Sequence, residues 1–130
     1  MDTNEIDISQ RVERARALHH SGCNCAQAVV MAYQDLIDLD SDKAMAMAAP
    51  FGRGLSGLRE VCGCVSGMAM VGGLTGNAPQ VRAMAQQFQA ENGDLNCGRL
   101  LQQGKRPCNE LVACAARILG ETLKGQQQNL

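Results

Sequence analysis

Tyr33, Phe51 and Phe88 are the only aromatic residues in a chain of 130 residues, although 45% of its residues are hydrophobic. Leu, Ala, Val and the seven Met must therefore fill the core. Small and flexible side chains of this kind suit helices that pack close together. They leave no aromatic platforms on which single-stranded bases could stack. Strand signals are weak, because β-branched residues are scattered and no period-two alternation persists. The length fits one domain with one core. The expected fold is all-α: a compact single-domain bundle of about five to seven helices over residues 1–130, with no sheet beyond a trivial pairing.

Residues 6–20 place Ile8, Val12, Ala15 and Leu18 on one stripe, and Ser21-Gly22 ends that helix. Asn24 is placed to cap a second helix running to about Leu36, with Gln27 at the capping-box position. Ser41 caps a short Ala/Met helix that Pro50 stops. Residues 51–60 read as a glycine-rich loop, and a small-residue helix follows from about Cys62 to Leu74. Pro79 suits the first turn of the next helix, which Asn92-Gly93 ends. Asp94 is placed to cap a short helix through Cys97, and Pro107 opens a last helix to about Leu123. The tail, residues 124–130, is polar and expected to be disordered.

Formal net charge is -1, and no basic block occurs. Arg11, Arg14 and Arg16 are interrupted by Glu13 and read as a solvated helix face rather than a nucleic-acid patch. No segment approaches the ~20 apolar residues that span a bilayer. The acidic start, Met1 to Glu5, lacks the basic and apolar regions of a secretory signal. The expected setting is cytoplasmic, with neither nucleic acid nor membrane as partner. A redox partner of unspecified identity and a homo-oligomer are both compatible with the sequence.

Seven cysteines in a reducing compartment suggest metal ligation or redox work more than permanent disulfides, and the odd count argues the same way. Four of them share a placement. Cys25 follows the Asn24 cap, Cys62 follows the glycine-rich loop, Cys97 follows Asp94, and Cys108 follows Pro107. Each falls in the first turn of an expected helix, where free N–H groups and the macrodipole stabilise a thiolate. A lowered pKa makes a thiol both a better nucleophile and a better metal ligand. The four sulfurs are expected to converge in one pocket, with the Gly52–Gly57 loop as one wall.

The remaining three cysteines read differently. Cys114 lies mid-helix on an apolar face and reads as core packing. Cys23 and Cys64 each stand two residues from a quartet member. Residues two apart on a regular helix face opposite ways, so Cys64 is expected to point away from the site. Cys23, in a turn, is the better candidate for an auxiliary thiol. His19 and His20 precede it, and His20 is a candidate auxiliary ligand or proton donor. The methionines read as gap-fillers rather than copper ligands.

Several segments together carry a family resemblance: Gly22-Cys23-Asn24-Cys25-Ala26-Gln27-Ala28-Val29, Phe51-Gly52-Arg53-Gly54, Cys62-Gly63-Cys64-Val65-Ser66-Gly67, Asn92-Gly93-Asp94-Leu95-Asn96-Cys97 and Pro107-Cys108. In this order and spacing the chain resembles the C_GCAxxG_C_C family of redox-active proteins over nearly all of residues 15–123. The resemblance puts the family's signature cysteines on Cys25, Cys62, Cys97 and Cys108. It implies a redox role with no settled substrate. A related domain carries an iron–sulfur cluster beside haems, but this chain has no Cys-x-x-Cys-His attachment site. Two positions depart from the pattern: Cys64 stands where Ala is usual, and Cys23 where an aromatic is common.

Three functions follow as expectations. The first is thiol–disulfide or electron-transfer chemistry at Cys25, Cys62, Cys97 and Cys108, with or without an iron–sulfur cluster. The second is a non-catalytic zinc or iron module held by the same four residues. The third is a helical interaction protein whose thiols are incidental.

Overall fold

The computed structural model describes residues 6–128, with seven helices and one isolated antiparallel bridge, Val61 to Asn96, among them. The helices are α1 (Ile8–His20), α2 (Cys25–Ala32), α3 (Ser41–Ala48), α4 (Gly63–Leu74), α5 (Val81–Asn92), α6 (Cys97–Gln103) and α7 (Cys108–Gln128). The all-α bundle is the fold that the composition demands. The acidic start, Met1 to Glu5, and residues 129–130 of the tail lie outside the described residues.

The caps explain most of the boundaries. Asn24 and Gln27 form the expected capping box: the Asn24 side chain accepts from the Gln27 amide at 2.9 Å, and the Gln27 side chain accepts from the Asn24 amide at 3.0 Å. α2 ends at Ala32 rather than near Leu36, and a 3-10 turn over Gln34–Leu36 follows. α3 is capped by Asp40, one residue before the expected Ser41. α6 is capped by Asn96, not Asp94. The Asp94 carboxylate is occupied by the amides of Leu95 and Asn96, both at 2.8 Å. The last helix does not stop at Leu123 but continues through 124–128, which corrects the expected disordered tail over those residues.

α2 is the central helix: Ala26 and all residues from Ala28 to Tyr33 are buried. α4 crosses it at Gly67, where an added Cβ would stand 3.0 Å from Val29 Cβ and 3.1 Å from the Ala26 carbonyl. α1 and α7 pack along one another and against α2. Between them lies Tyr33, wholly buried, whose hydroxyl donates to the Ala116 carbonyl at 2.7 Å.

Of the α1 arginines, Arg14 is exposed, but Arg11 and Arg16 are not free on a solvated face. Arg11 is only 6% exposed. It donates to the Ala32 carbonyl at 2.9 Å and to both Asp35 oxygens, and it lies 5.1 Å from the Tyr33 ring centre. Arg16 binds Glu110 at 3.0 Å and also pairs with Glu13. A long cationic side chain can lay its stem on a core and keep its charge paired, which a polarity pattern alone does not reveal.

Candidate functional site

Four chain segments reach one end of the bundle, and each delivers a cysteine at a helix start. Cys25, Cys97 and Cys108 are the first residues of α2, α6 and α7, and Cys62 is the N-cap of α4. The isolated bridge holds two of these starts side by side. The Cys62 amide donates to the Leu95 carbonyl at 2.8 Å, and the Cys97 amide donates to the Glu60 carbonyl. All four quartet residues, with Cys23 and Cys64, line one cavity of about 620 Å³.

The cavity has an inner and an outer group of thiols. Cys62 and Cys64 are buried, Cys64 to 1% exposure, and Cys25 is half-buried beside them. Gly63 lies directly under Cys25: a Cβ there would stand 2.4 Å from its sulfur. Only glycine permits that approach. The thiols of Cys62 and Cys64 hydrogen-bond to Cys25 and pull its pKa down to about 2 against the opposing effect of burial. The backbone amides of Arg53 and Ala26 add to the stabilisation of the Cys25 thiolate. The pKa of Cys62 is pushed up to about 12, first by donating to Cys25, with burial and the Cys25 charge adding. The Cys64 pKa is also raised well above the usual thiol value, chiefly as a donor to both neighbours, with burial adding. Among these three sulfurs, negative charge is favoured on Cys25.

The outer group is Cys97 and Cys108. Cys97 is buried with the Arg59 guanidinium 3.5 Å from its sulfur, and Cys108 is exposed. Partial burial raises the Cys108 pKa, and the neighbouring Cys25 charge adds to the rise, while Arg59 opposes it. A helix start therefore does not lower every thiol pKa here. Sulfurs gathered in one place compete for charge, and the site beside two thiol donors wins it.

The glycine-rich loop does form a wall, but by an unusual route. Arg53, Gly54, Leu55 and Ser56 all have positive φ, at 57°, 66°, 72° and 51°. They make a single left-handed turn closed by Ser56 N–H to the Pro50 carbonyl at 2.7 Å. The left-handed region costs a non-glycine residue about 1–2 kcal/mol. The turn delivers the Arg53 amide to Cys25 rather than to Cys62.

Two expectations for the auxiliary residues are corrected. Cys64 does not point away from the site. Cys62 lies outside the regular helix with φ -54° and ψ 133°, so the two-apart rule fails and both thiols reach Cys25. Cys23 lines the cavity, but its pKa is shifted only by burial, upward, with no thiol partner. Of the two histidines, His19 lines the cavity and shares a contact of 3.1 Å with Asn109, whereas His20 is exposed. Cys114 is buried away from the cavity, 3.4 Å from the Asn92 side-chain amide.

Among the described residues, no three His, Cys, Asp or Glu side chains are arranged to hold a metal ion. A tetrathiolate centre needs all its sulfurs within about 2.3 Å of one metal. The described thiols as placed do not form such a centre. Among the described residues, no helix is long and apolar enough to cross a membrane.

No curated protein and no solved structure matches the chain. A family model does match, over residues 23–122, a span that includes the whole quartet and the left-handed loop. The chain therefore belongs to the C_GCAxxG_C_C family, described as "Putative redox-active protein".

Proposed function

We propose that the protein is a thiol–disulfide redox protein in which Cys25 is the nucleophile and Cys62 the thiol that closes the first disulfide. The observation that carries this reading is the inner triad. Cys25 stands in the cavity beside the buried Cys62 and Cys64, with Gly63 directly under its sulfur, and these neighbours push its pKa down while their own are raised. Such a pair is suited to attack a disulfide or peroxide and then to resolve the product by exchange. Cys97 and Cys108 form the outer relay. Cys108 is the exposed sulfur through which a redox partner gains access, and Arg59 contacts the Cys97 sulfur at 3.5 Å. All seven cysteines are free, which suits work in the cytoplasm.

Equilibration in dithiothreitol redox buffers tests the reading. Two thiols, Cys25 and Cys62, should disappear together at one midpoint, leaving Cys114 reduced throughout. Protein purified without oxygen should carry no stoichiometric iron, sulfide or zinc. A triad that stays reduced across the whole range, or one mole of metal per chain, would overturn it.

A further inference from the structure

We propose that the substrate of this centre is a small anionic disulfide, one bearing carboxylates or a like charge, drawn into the thiol cavity by Arg53 and Arg59. The inference rests on the thiol–disulfide reading above and names the substrate class for that site.

The cavity is of ligand size. Its volume of about 620 Å³ falls within the ~300–1,000 Å³ of small-molecule sites. No Asp or Glu lines it, although the chain as a whole has a net charge of -1. Two arginines line it, and both are exposed. Among the described residues neither takes part in an ion pair, whereas Arg11, Arg16, Arg99 and Arg117 are each matched to a carboxylate. An unpaired guanidinium offers a fork of donors suited to a carboxylate.

The backbone sets the spacing of this pair. Arg53 and Arg59 both lie in the left-handed region, with φ 57° and 60°. The Arg59 amide donates to the Arg53 carbonyl at 3.2 Å, so one closed loop carries both arginines. Strain kept at two non-glycine residues of one site is an observation that asks for a functional reason. Arg53 offers its amide to the Cys25 sulfur and the Arg59 guanidinium lies 3.5 Å from the Cys97 sulfur, so this loop presents one amide and one cation to thiols of the cavity. The apolar side chains of Leu100, Leu101 and Leu111 line the cavity where a substrate's methylene stems would lie.

The step balances as an exchange. The Cys25 thiolate attacks one sulfur of the substrate, the substrate S–S bond breaks, and one thiolate leaves carrying the electron pair. Cys62 then attacks the Cys25 sulfur of the mixed disulfide, and its proton passes to the thiolate already released. The second substrate thiolate departs and takes a proton from solvent. The substrate gains two electrons and becomes two thiols, and the protein keeps a Cys25–Cys62 disulfide. A dithiol reductant returns the protein to its starting state.

The test measures single-turnover oxidation of the reduced full chain by three disulfides: dithiodipropionate (anionic), bis(hydroxyethyl) disulfide (neutral) and cystamine (cationic). Each rate is divided by that disulfide's rate with free mercaptoethanol, which removes intrinsic reactivity. The expected normalised preference for the anion over the neutral compound is about tenfold, within the range of local electrostatic steering. The preference should fall toward unity in Arg53→Gln/Arg59→Gln and survive in Arg53→Lys/Arg59→Lys. Because it is a ratio, a change in folding or in thiolate supply common to all probes does not move it. Should the Gln variant not fold, raising the salt concentration on the wild type should shrink the same ratio. No anionic preference, or faster reaction of cystamine, would overturn the proposal, with the redox reading intact if Cys25–Cys62 still forms. Failure of all three disulfides to oxidise Cys25 would overturn the redox reading as well.

Discussion

Replacing Gly63 with Ala places a methyl group against the sulfur of Cys25. The new Cβ would lie 2.4 Å from that sulfur, 2.9 Å from the Phe51 carbonyl oxygen and 3.2 Å from the Ala26 amide nitrogen. Non-bonded heavy atoms sit about 3.5–4.0 Å apart at their energy minimum, so the sulfur must retreat by about 1 Å or more. Two of the three neighbours are backbone, so the strain falls on the sulfur. Overpacking of this kind costs about 1–3 kcal/mol. The retreat also breaks the thiol hydrogen bonds that hold Cys25 ionised, and its pKa should return toward ~8.5.

Gly67→Ala is the control. It overpacks the same helix crossing, 3.0 Å from Val29 Cβ, without touching a sulfur. Both variants should lose similar stability in urea. Iodoacetamide labelling of Cys25, read by peptide mass spectrometry, should separate them. In the wild type and Gly67→Ala the rate should be nearly flat between about pH 5 and pH 8, since the pKa is near 2. In Gly63→Ala the rate should fall about tenfold per pH unit below ~8.5, because only about 0.3% of such a thiol is ionised at about pH 6. A flat profile in Gly63→Ala would refute the claim that the Cys62 and Cys64 contacts set the charge on Cys25.

Other outcomes follow from the same structure. Under mild peroxide, Cys64→Ala should change which disulfides form and Cys23→Ser should not, as shown by oxidised-peptide mapping; the reverse result would restore Cys23 as the auxiliary thiol. Asn24→Ala removes the α2 capping box and the bond to the Ala49 carbonyl, and should lower stability by about 1–2 kcal/mol in thermal unfolding. Arg11 depresses the Asp35 pKa, chiefly by hydrogen bonding. That stabilisation is fully present above the unfolded Asp value of ~3.9 and is lost as pH falls through the lower folded value. Asp35→Asn should therefore cost about 1 kcal/mol in urea unfolding near neutral pH, a modest figure because Asp35 is partly exposed, and the cost should shrink in acid.

The fold was legible because its signals are local. The Asn24–Gln27 box, the Gly93 stop and the Pro107 start each act within one helical turn. The placement of the four cysteines at helix starts was legible for the same reason, and it identified the four chain segments that meet at the cavity. What the sequence concealed depends on backbone geometry at single residues. Cys62 sits in extended conformation as an N-cap, so helical periodicity, counted one residue too early, turned Cys64 away from the site it joins. The left-handed turn at Arg53–Ser56 has only one glycine among its four residues, and no propensity argument predicts it. The burial of Arg11 depends on Ala32 and Asp35, more than twenty residues distant, and so was invisible to a local reading of charge.

Stoichiometric oxidation of the reduced protein with diamide, followed by disulfide mapping, tests the central claim most directly. Cys25 should be consumed first and the dominant bridge should join Cys25 to Cys62, with Cys114 left as a free thiol. Bridges confined to Cys97 and Cys108, with Cys25 still reduced, would contradict it.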